Sequence, residues 1–208
     1  TLAHMDLYEQ FPELQAELDG FKVLWFHSAA PTQIQTSSRP IQTMADLQGL
    51  SQAEIGPVPA ETMKALGGVP VSFPPVEVYD ALAKGVADGV SVNWDACRTF
   101  GYFDVIKYST QASVCVPTFC PVIMNQSVWD GLPEDLKAIF SEENCRKMAM
   151  VFGYAYDMFD MESRDMMSEK FAQAGLPEIY VLPESEREQW KAATASVTQN
   201  WIDSVTVG

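Results

Sequence analysis

Residues 49–94, GLSQAEIGPVPAETMKALGGVPVSFPPVEVYDALAKGVADGVSVNW, alternate extended and helical signals. GLSQAEI (49–55), VPVSF (69–73) and VADGVSVNW (86–94) read as extended, while PAETMKALG (59–67) and VEVYDALAKG (76–85) read as short helices. The pattern is β-α-β-α-β. Each connection between strands holds about the dozen residues that a parallel crossover needs, where a hairpin needs only a few. The strands are therefore expected to be parallel and the crossovers right-handed. Val78 and Leu82 fall four apart, as do Met63 and Gly67 beside Leu66, so each helix has a narrow apolar stripe to lay on a sheet.

On the N-terminal side, 4–18 reads as helical pieces interrupted at Pro12 and ended by Gly20, and FKVLWFHSA (21–29) reads as a strand. QIQTSSRPIQT (33–43) is a hairpin or an extended crossover. On the C-terminal side, SVCVPTFCPVIMN (113–125) reads as one long strand interrupted by Pro117 and Pro121, which argues for an edge or a hinge-like crossing. Residues 133–175 contain no proline after the first, with Pro133 at a helix start and Gly175 at its end. One helix of that length would run about 60 Å. A globule of this chain length is only about 43 Å across. The helix is expected either to bend at Gly153 or to lie along two lobes. A strand (178–182) and a helix opened by Pro183 and Glu184, passing Trp190 and Trp201, close the chain.

The 208 residues include 28 acidic and 13 basic side chains, a formal charge of −15, with 47% hydrophobic and 20% charged residues. This is the composition of a folded protein of one or two domains. Its charge disfavours nucleic acid and anionic membranes, whose binding depends on Lys and Arg. The first residues, TLAHMDLYEQF, have neither the basic start nor the apolar stretch of a signal peptide, which leaves the compartment open. Cys97, Cys115, Cys120 and Cys145 form no CxxC pair. Cys115 and Cys120, an odd number of positions apart on one extended segment, would face opposite sides and not bridge. With only His4 and His27 as further soft ligands, no metal site is expected. Met148, Met150, Met158, Met161, Met166 and Met167 read as packing residues rather than ligands. There is no GxSxG, HExxH, P-loop or GxGxxG, so no catalytic constellation and no cofactor are expected. An enzyme using Cys97 or Cys120 as nucleophile lacks a neighbouring histidine in sequence.

In an open parallel sheet, ligands bind off the carboxyl ends of the strands. Here those exits are Ile55-Gly56-Pro57, Phe73-Pro74-Pro75 and Asn93-Trp94-Asp95. Trp94 reads either as a core aromatic or as a ligand wall, and Asn93 either as a cap or as a ligand contact.

The run MADLQGL (44–50), the turn Ala65-Leu66-Gly67-Gly68-Val69-Pro70-Val71 and the segment EVYDALAKGVADG (77–89) resemble the solute-binding proteins of TRAP transporters, the DctP-like family. FDVIKYST (103–110), MNQSVWDGLPEDLKAIF (124–140) and LPESEREQWKAA (182–193) resemble later segments of the same family. The resemblance implies a periplasmic receptor, not an enzyme. Such a receptor binds a small organic acid between two α/β lobes and delivers it to membrane subunits. It implies a further N-terminal stretch building most of the first lobe, so that this chain is expected to be a fragment or a truncated member. It places Asn93, Trp94, Phe73, Cys97 and Phe119 in ligand-lining segments. Where the family has a Gly-Leu-Lys-Ile-Arg run, this chain has Gly49-Leu50-Ser51-Gln52-Ala53, so Gln52 and Ala53 occupy the place of the carboxylate clamp and the arginine is missing. Arg39 and Arg98 are the candidate replacements.

The expected fold is α/β, a periplasmic-binding-protein-like lobe with a parallel or mixed sheet flanked by helices, a long spanning helix and remnants of a second lobe. Residues 1–42 are assigned to a returning segment of the first lobe and a crossover, 43–124 to the second lobe, and 125–208 to the long helix and the closing strand and helix. The competing reading is a non-binding fragment that assembles as a homodimer by domain swapping along the long helix.

Overall fold

A computed structural model describes residues 2–115 and 119–205. In chain order its elements begin with α1 (Leu2–Gln10), α2 (Pro12–Ala16), β1 (Phe21–Ser28) and β2 (Thr32–Thr36). The alternating stretch follows as β3 (Ser51–Glu54), α3 (Pro57–Ala65), β4 (Val69–Ser72), α4 (Pro75–Ala83), β5 (Gly89–Val92) and α5 (Trp94–Thr99). The remainder is β6 (Tyr108–Cys115), β7 (Phe119–Asn125), α6 (Gln126–Asp130), α7 (Glu134–Ile139), α8 (Glu142–Gln173), β8 (Tyr180–Val181) and α9 (Glu184–Val205). The chain forms two compact units, one of residues 1–30 and 117–159, the other of residues 31–116 and 160–208.

In the smaller unit, β1 and β7 pair antiparallel from Phe21↔Asn125 to Ser28↔Phe119, with an irregularity between Val23 and Trp25. A two-stranded ribbon is marginal alone. Here it is covered by a core of Met5, Leu24, Phe26, Cys145 and Ala149. Phe119 stacks on Phe26 with ring centroids 4.8 Å apart, and Arg146 of α8 pairs with Asp6 and Glu9 of α1 at 2.9 and 2.6 Å.

The larger unit holds a six-stranded mixed sheet in the order β4-β3-β5-β2-β6-β8. β3 lies parallel to both β4 and β5, as the crossover lengths require, whereas β2 runs antiparallel to β5 and β6. Residues 37–43 form no strand, so the 33–43 segment is a crossover and not a hairpin. Side chains alternate along each strand. The register Ala53↔Val90 puts these two on one face, with Val92, Trp94, Cys97, Tyr102 and Phe171 in the same core. The register Ile34↔Ser91 turns Ile34 to the opposite face, where it packs with Leu50, Met63, Leu66 and Trp190. The stripes read from sequence divide accordingly: Val78 and Leu82 of α4 enter the first core, Met63 and Leu66 the second. Each such side chain withdrawn from water contributes about 1.5–3 kcal/mol.

Three expectations are corrected. The 113–125 segment is two strands of two sheets: β6 belongs to the larger unit and β7 to the smaller. Pro117 and the Cys115 side chain lie outside the described residues, and Pro121 sits in the two-stranded ribbon, where every strand is an edge. The 133–175 helix is broken after Ile139, because Ser141 starts a new helix: its Oγ accepts from the Asn144 N–H at 3.3 Å. The second piece, α8, is about 48 Å long at 1.5 Å per residue. It runs without interruption through Gly153, and the two units divide it at Phe159 and Asp160. The methionines are mostly not packed: Met167 is buried, while Met148, Met150, Met158, Met161 and Met166 are exposed.

Candidate functional site

The amino ends of the parallel strands are locked together. Asp88 Oδ2 accepts from the Ser51 N–H at 3.0 Å and its hydroxyl at 2.9 Å, and Gly89 packs so closely that an added Cβ would lie 2.4 Å from the Gln35 carbonyl oxygen. Arg39 donates to the Gln48 carbonyl at 3.0 Å, which places it just before β3 and thus at this same amino end. It is therefore at the wrong end of β3 to replace a clamp at the carboxyl end.

At the carboxyl ends the chain leaves β4 through Phe73, β3 through Ile55 and Gly56, and β5 through Asn93 and Trp94. Phe73 is half-buried against the first core, and the exit it belongs to is fixed by Tyr102, whose hydroxyl donates to the Pro75 carbonyl at 2.5 Å. Burial pushes the Tyr102 phenol up to about 12, so it stays a donor. Asn93 occupies the N-cap of α5, yet its side chain makes no capping bond. Asp160 of α8 takes that role: its Oδ1 accepts from the Asp95 N–H at 3.0 Å.

Trp94 is 4% exposed, and its indole Nε1–H donates to Ser109 Oγ at 3.2 Å. The guanidinium of Arg164 lies over its ring, 5.6 Å from the centroid. Arg164 stands seventy residues further along the chain, and no local motif marks it. Arg98 of α5 pairs with Glu162 at 3.1 Å. Cys97 is wholly buried; burial, then the charges of Asp160 and Asp95, push its thiol well above the ordinary range. Such a thiol stays protonated and is a poor nucleophile.

Gln52 and Ala53 are both buried on β3, on opposite faces. Ala53 packs in the first core, and neither polar atom of the Gln52 amide has a partner. Next to them Glu54 is 2% exposed. The Ser91 hydroxyl donates to its Oε1 at 2.6 Å, while Oε2 is buried with no partner. Burial pushes the Glu54 carboxyl up to about 8, against the opposing pull of the Ser91 hydrogen bond. Ala53, Phe73, Asn93, Trp94 and Cys97 therefore lie toward the carboxyl side of one sheet, whereas Gln52, paired with Gly89, lies toward its amino end. Phe119 is in the other unit, exposed, and stacked on Phe26.

The model of the family described as bacterial extracellular solute-binding protein, family 7 (DctP), matches residues 7–204. The C4-dicarboxylate-binding periplasmic protein DctP of Rhodobacter capsulatus is 28% identical over 173 residues, covering 83% of this chain and 50% of the relative. The 2,3-diketo-L-gulonate-binding periplasmic protein YiaO of Escherichia coli is 30% identical over 139 residues, 62% of this chain and 40% of the relative. Among solved structures, a TRAP solute-binding protein from a marine metagenome, specific for aromatic acids and crystallised with 3-hydroxybenzoate, superposes with a TM-score of 0.85 at 27% identity, covering 96% of this chain and 62% of that one. A TRAP periplasmic solute-binding protein of Bordetella bronchiseptica with bound mandelate gives 0.82 at 26% identity, covering 97% and 63%. The chain thus spans about half the length of these curated relatives, and the α/β fold of the sheet and its helices is the fold of TRAP periplasmic binding proteins. With nearly its whole length inside the family match, the chain belongs to family 7 of the bacterial extracellular solute-binding proteins, the DctP family of TRAP transporters.

Proposed function

We propose that this chain is an extracytoplasmic receptor for a small organic acid and works without chemistry, holding the acid at the carboxyl ends of β3, β4 and β5 and delivering it to TRAP membrane subunits. The carrying observation is Asn93, which heads α5 with its side chain free of the capping bond that Asp160 supplies. In this reading Asn93 and Phe73 touch the ligand. Trp94, Cys97 and Ala53 shape the floor beneath it, Gln52 backs them from the opposite face of β3, and residues 43–116 carry much of this lobe. Arg164, stacked on Trp94, supplies the positive charge that Ala53 does not. Relatives described as binding C4-dicarboxylates, 3-hydroxybenzoate and mandelate support an acid as the ligand class.

The test is titration calorimetry of the chain with succinate, 3-hydroxybenzoate and mandelate. Saturable binding of one acid is expected, weakened at least about tenfold by Asn93→Ala and by Arg164→Met, as for loss of a charge-assisted hydrogen bond. An acid that binds equally well to both variants overturns the assignment.

A second reading, self-association, is favoured by α8. Val151, Tyr154 and Met158, spaced to share one helix face, are 58%, 69% and 48% exposed. Sedimentation velocity decides it: a dimer that the Tyr154→Lys variant dissolves supports it, and a monomer at every concentration overturns it.

A further inference from the structure

Between β3, β4 and the first turn of α3 lies a recess of about 370 Å³, lined by Glu54, Pro57, Ala60, Pro70 and Ser72 among others. Its chemistry is one-sided. Glu54 is the one titratable side chain among the described residues that line it, and its Oε2 is buried with no hydrogen-bond partner. The register Glu54↔Ser72 sets a hydroxyl-bearing residue directly across from it on β4.

The donors that would favour an anion are missing. The helix start beside the recess opens Pro57-Val58-Pro59, so two of its first three residues have no N–H. The Ala60 N–H is already directed to the Gly56 carbonyl at 3.4 Å. Among the described residues no lysine or arginine lines the recess. A divalent cation would want several hard oxygen ligands, and one carboxylate does not supply them. What the recess offers is a carboxyl whose ionised form lacks, at Oε2, both a donor and a positive charge beside it.

We propose that this recess is a subsite for a primary ammonium group, with Glu54 as its counter-ion and Ser72 as a second acceptor. The inference goes beyond the acid site and does not depend on it, since an ammonium ion without any acid group is the probe. When the ion enters, the Glu54 carboxyl gives its proton to solvent and the ammonium N–H donates to the resulting carboxylate. Around Glu54, β4 and β5 bring no charged side chain, and α3 brings Glu61 and Lys64, exposed and paired with each other at 3.8 Å. Proton release on binding therefore reports Glu54.

The experiment is isothermal titration of the 208-residue chain with ethylammonium chloride at constant ionic strength, in two buffers of different ionisation enthalpy. With Glu54 titrating near 8 in the empty protein, binding at pH 7 should release about 0.9 proton per site and at pH 9 about 0.1. Apparent affinity should rise about tenfold between those pH values. Tetramethylammonium, which has no N–H, should not bind, and Glu54→Gln should abolish both binding and proton release while leaving the circular dichroism spectrum unchanged. Any of three results overturns the proposal: no saturable heat, equal binding of tetramethylammonium, or binding at pH 7 without proton release. The third is read on the unaltered chain, so it stands even if Glu54→Gln does not fold.

Discussion

Glu54 is a carboxyl group set where ionisation is penalised, and the penalty has a sign that can be measured. Its value is about 8 in the folded chain against an ordinary 4.5, so between these pH values the folded state holds a proton that the unfolded state has lost. Stability from this group is therefore greatest below pH 4.5 and declines as pH rises toward 8. Glu54→Gln removes the dependence, and at pH 7 it should stabilise the chain by about 3 kcal/mol, with little gain at pH 4.5. Thermal melts of the two proteins at both pH values check this, and an equal difference at each would refute it. Gly89→Ala should do the opposite. Its methyl would lie 2.3 Å from Gln52 Oε1 and 2.4 Å from the Gln35 carbonyl oxygen, a backbone atom that cannot swing away. The overpacking should cost about 2–3 kcal/mol, seen as a lower urea midpoint. Both residues lie in the segment that reads most clearly, and they are not equally legible. Gly89 and its neighbour Asp88 join the amino ends of the strands, and both fall in the segment whose resemblance to the family is read directly from sequence. Glu54 stands at the carboxyl end of β3, and its environment is set by burial and by Ser91, 37 residues further along the chain. The place of Asn93 at the exit of β5 is legible from the pattern of strands and helices. Arg164 is not, because only the folded chain brings it over Trp94.

At the scale of elements, periodicity locates helices and strands well and their ends poorly. The long proline-free run from 133 hides a stop at Phe140, and the reason is local chemistry: Ser141 offers an oxygen to the first turn of α8, which a count of helix formers does not register. Ser141→Ala should therefore loosen that first turn at a cost of about 1 kcal/mol, checked by hydrogen exchange of the Asn144 and Cys145 amides. The 113–125 run misled in the other direction, since two strands of different sheets are separated there by only a few residues. The start of α5 depends on two side chains from elsewhere, Asp160 on its N-terminal amide and Ser109 on its indole. Trp94→Phe keeps the ring and loses the second of these, which should lower stability by about 1 kcal/mol by chemical denaturation.

Across the whole molecule the two units carry titrating groups of opposite sense. In the smaller unit burial holds His27 below its ordinary value, and burial does the same to His4. Histidines lowered in the folded state leave stability intact above pH 6.5 and remove it as pH falls through their folded values. In the larger unit Glu54 gains on the same acidification. Differential scanning calorimetry between pH 7.5 and 5 should show one transition falling in temperature while another rises. Parallel movement of all the heat absorption would refute the opposition.

Neither unit is a continuous length of chain. The smaller takes residues 1–30 and then 117–159, and the larger takes 31–116 and then 160–208. A ribosome therefore releases the first segment of the larger unit before the smaller can close its ribbon with β7, and β8 and α9 emerge after both. Each unit waits with an unfinished sheet or an uncovered core while the other is being made. The nascent chain should remain a substrate for holdase chaperones and proteases until α9 has emerged, and cutting the chain at any of the three internal boundaries should yield two polypeptides that fold only when mixed.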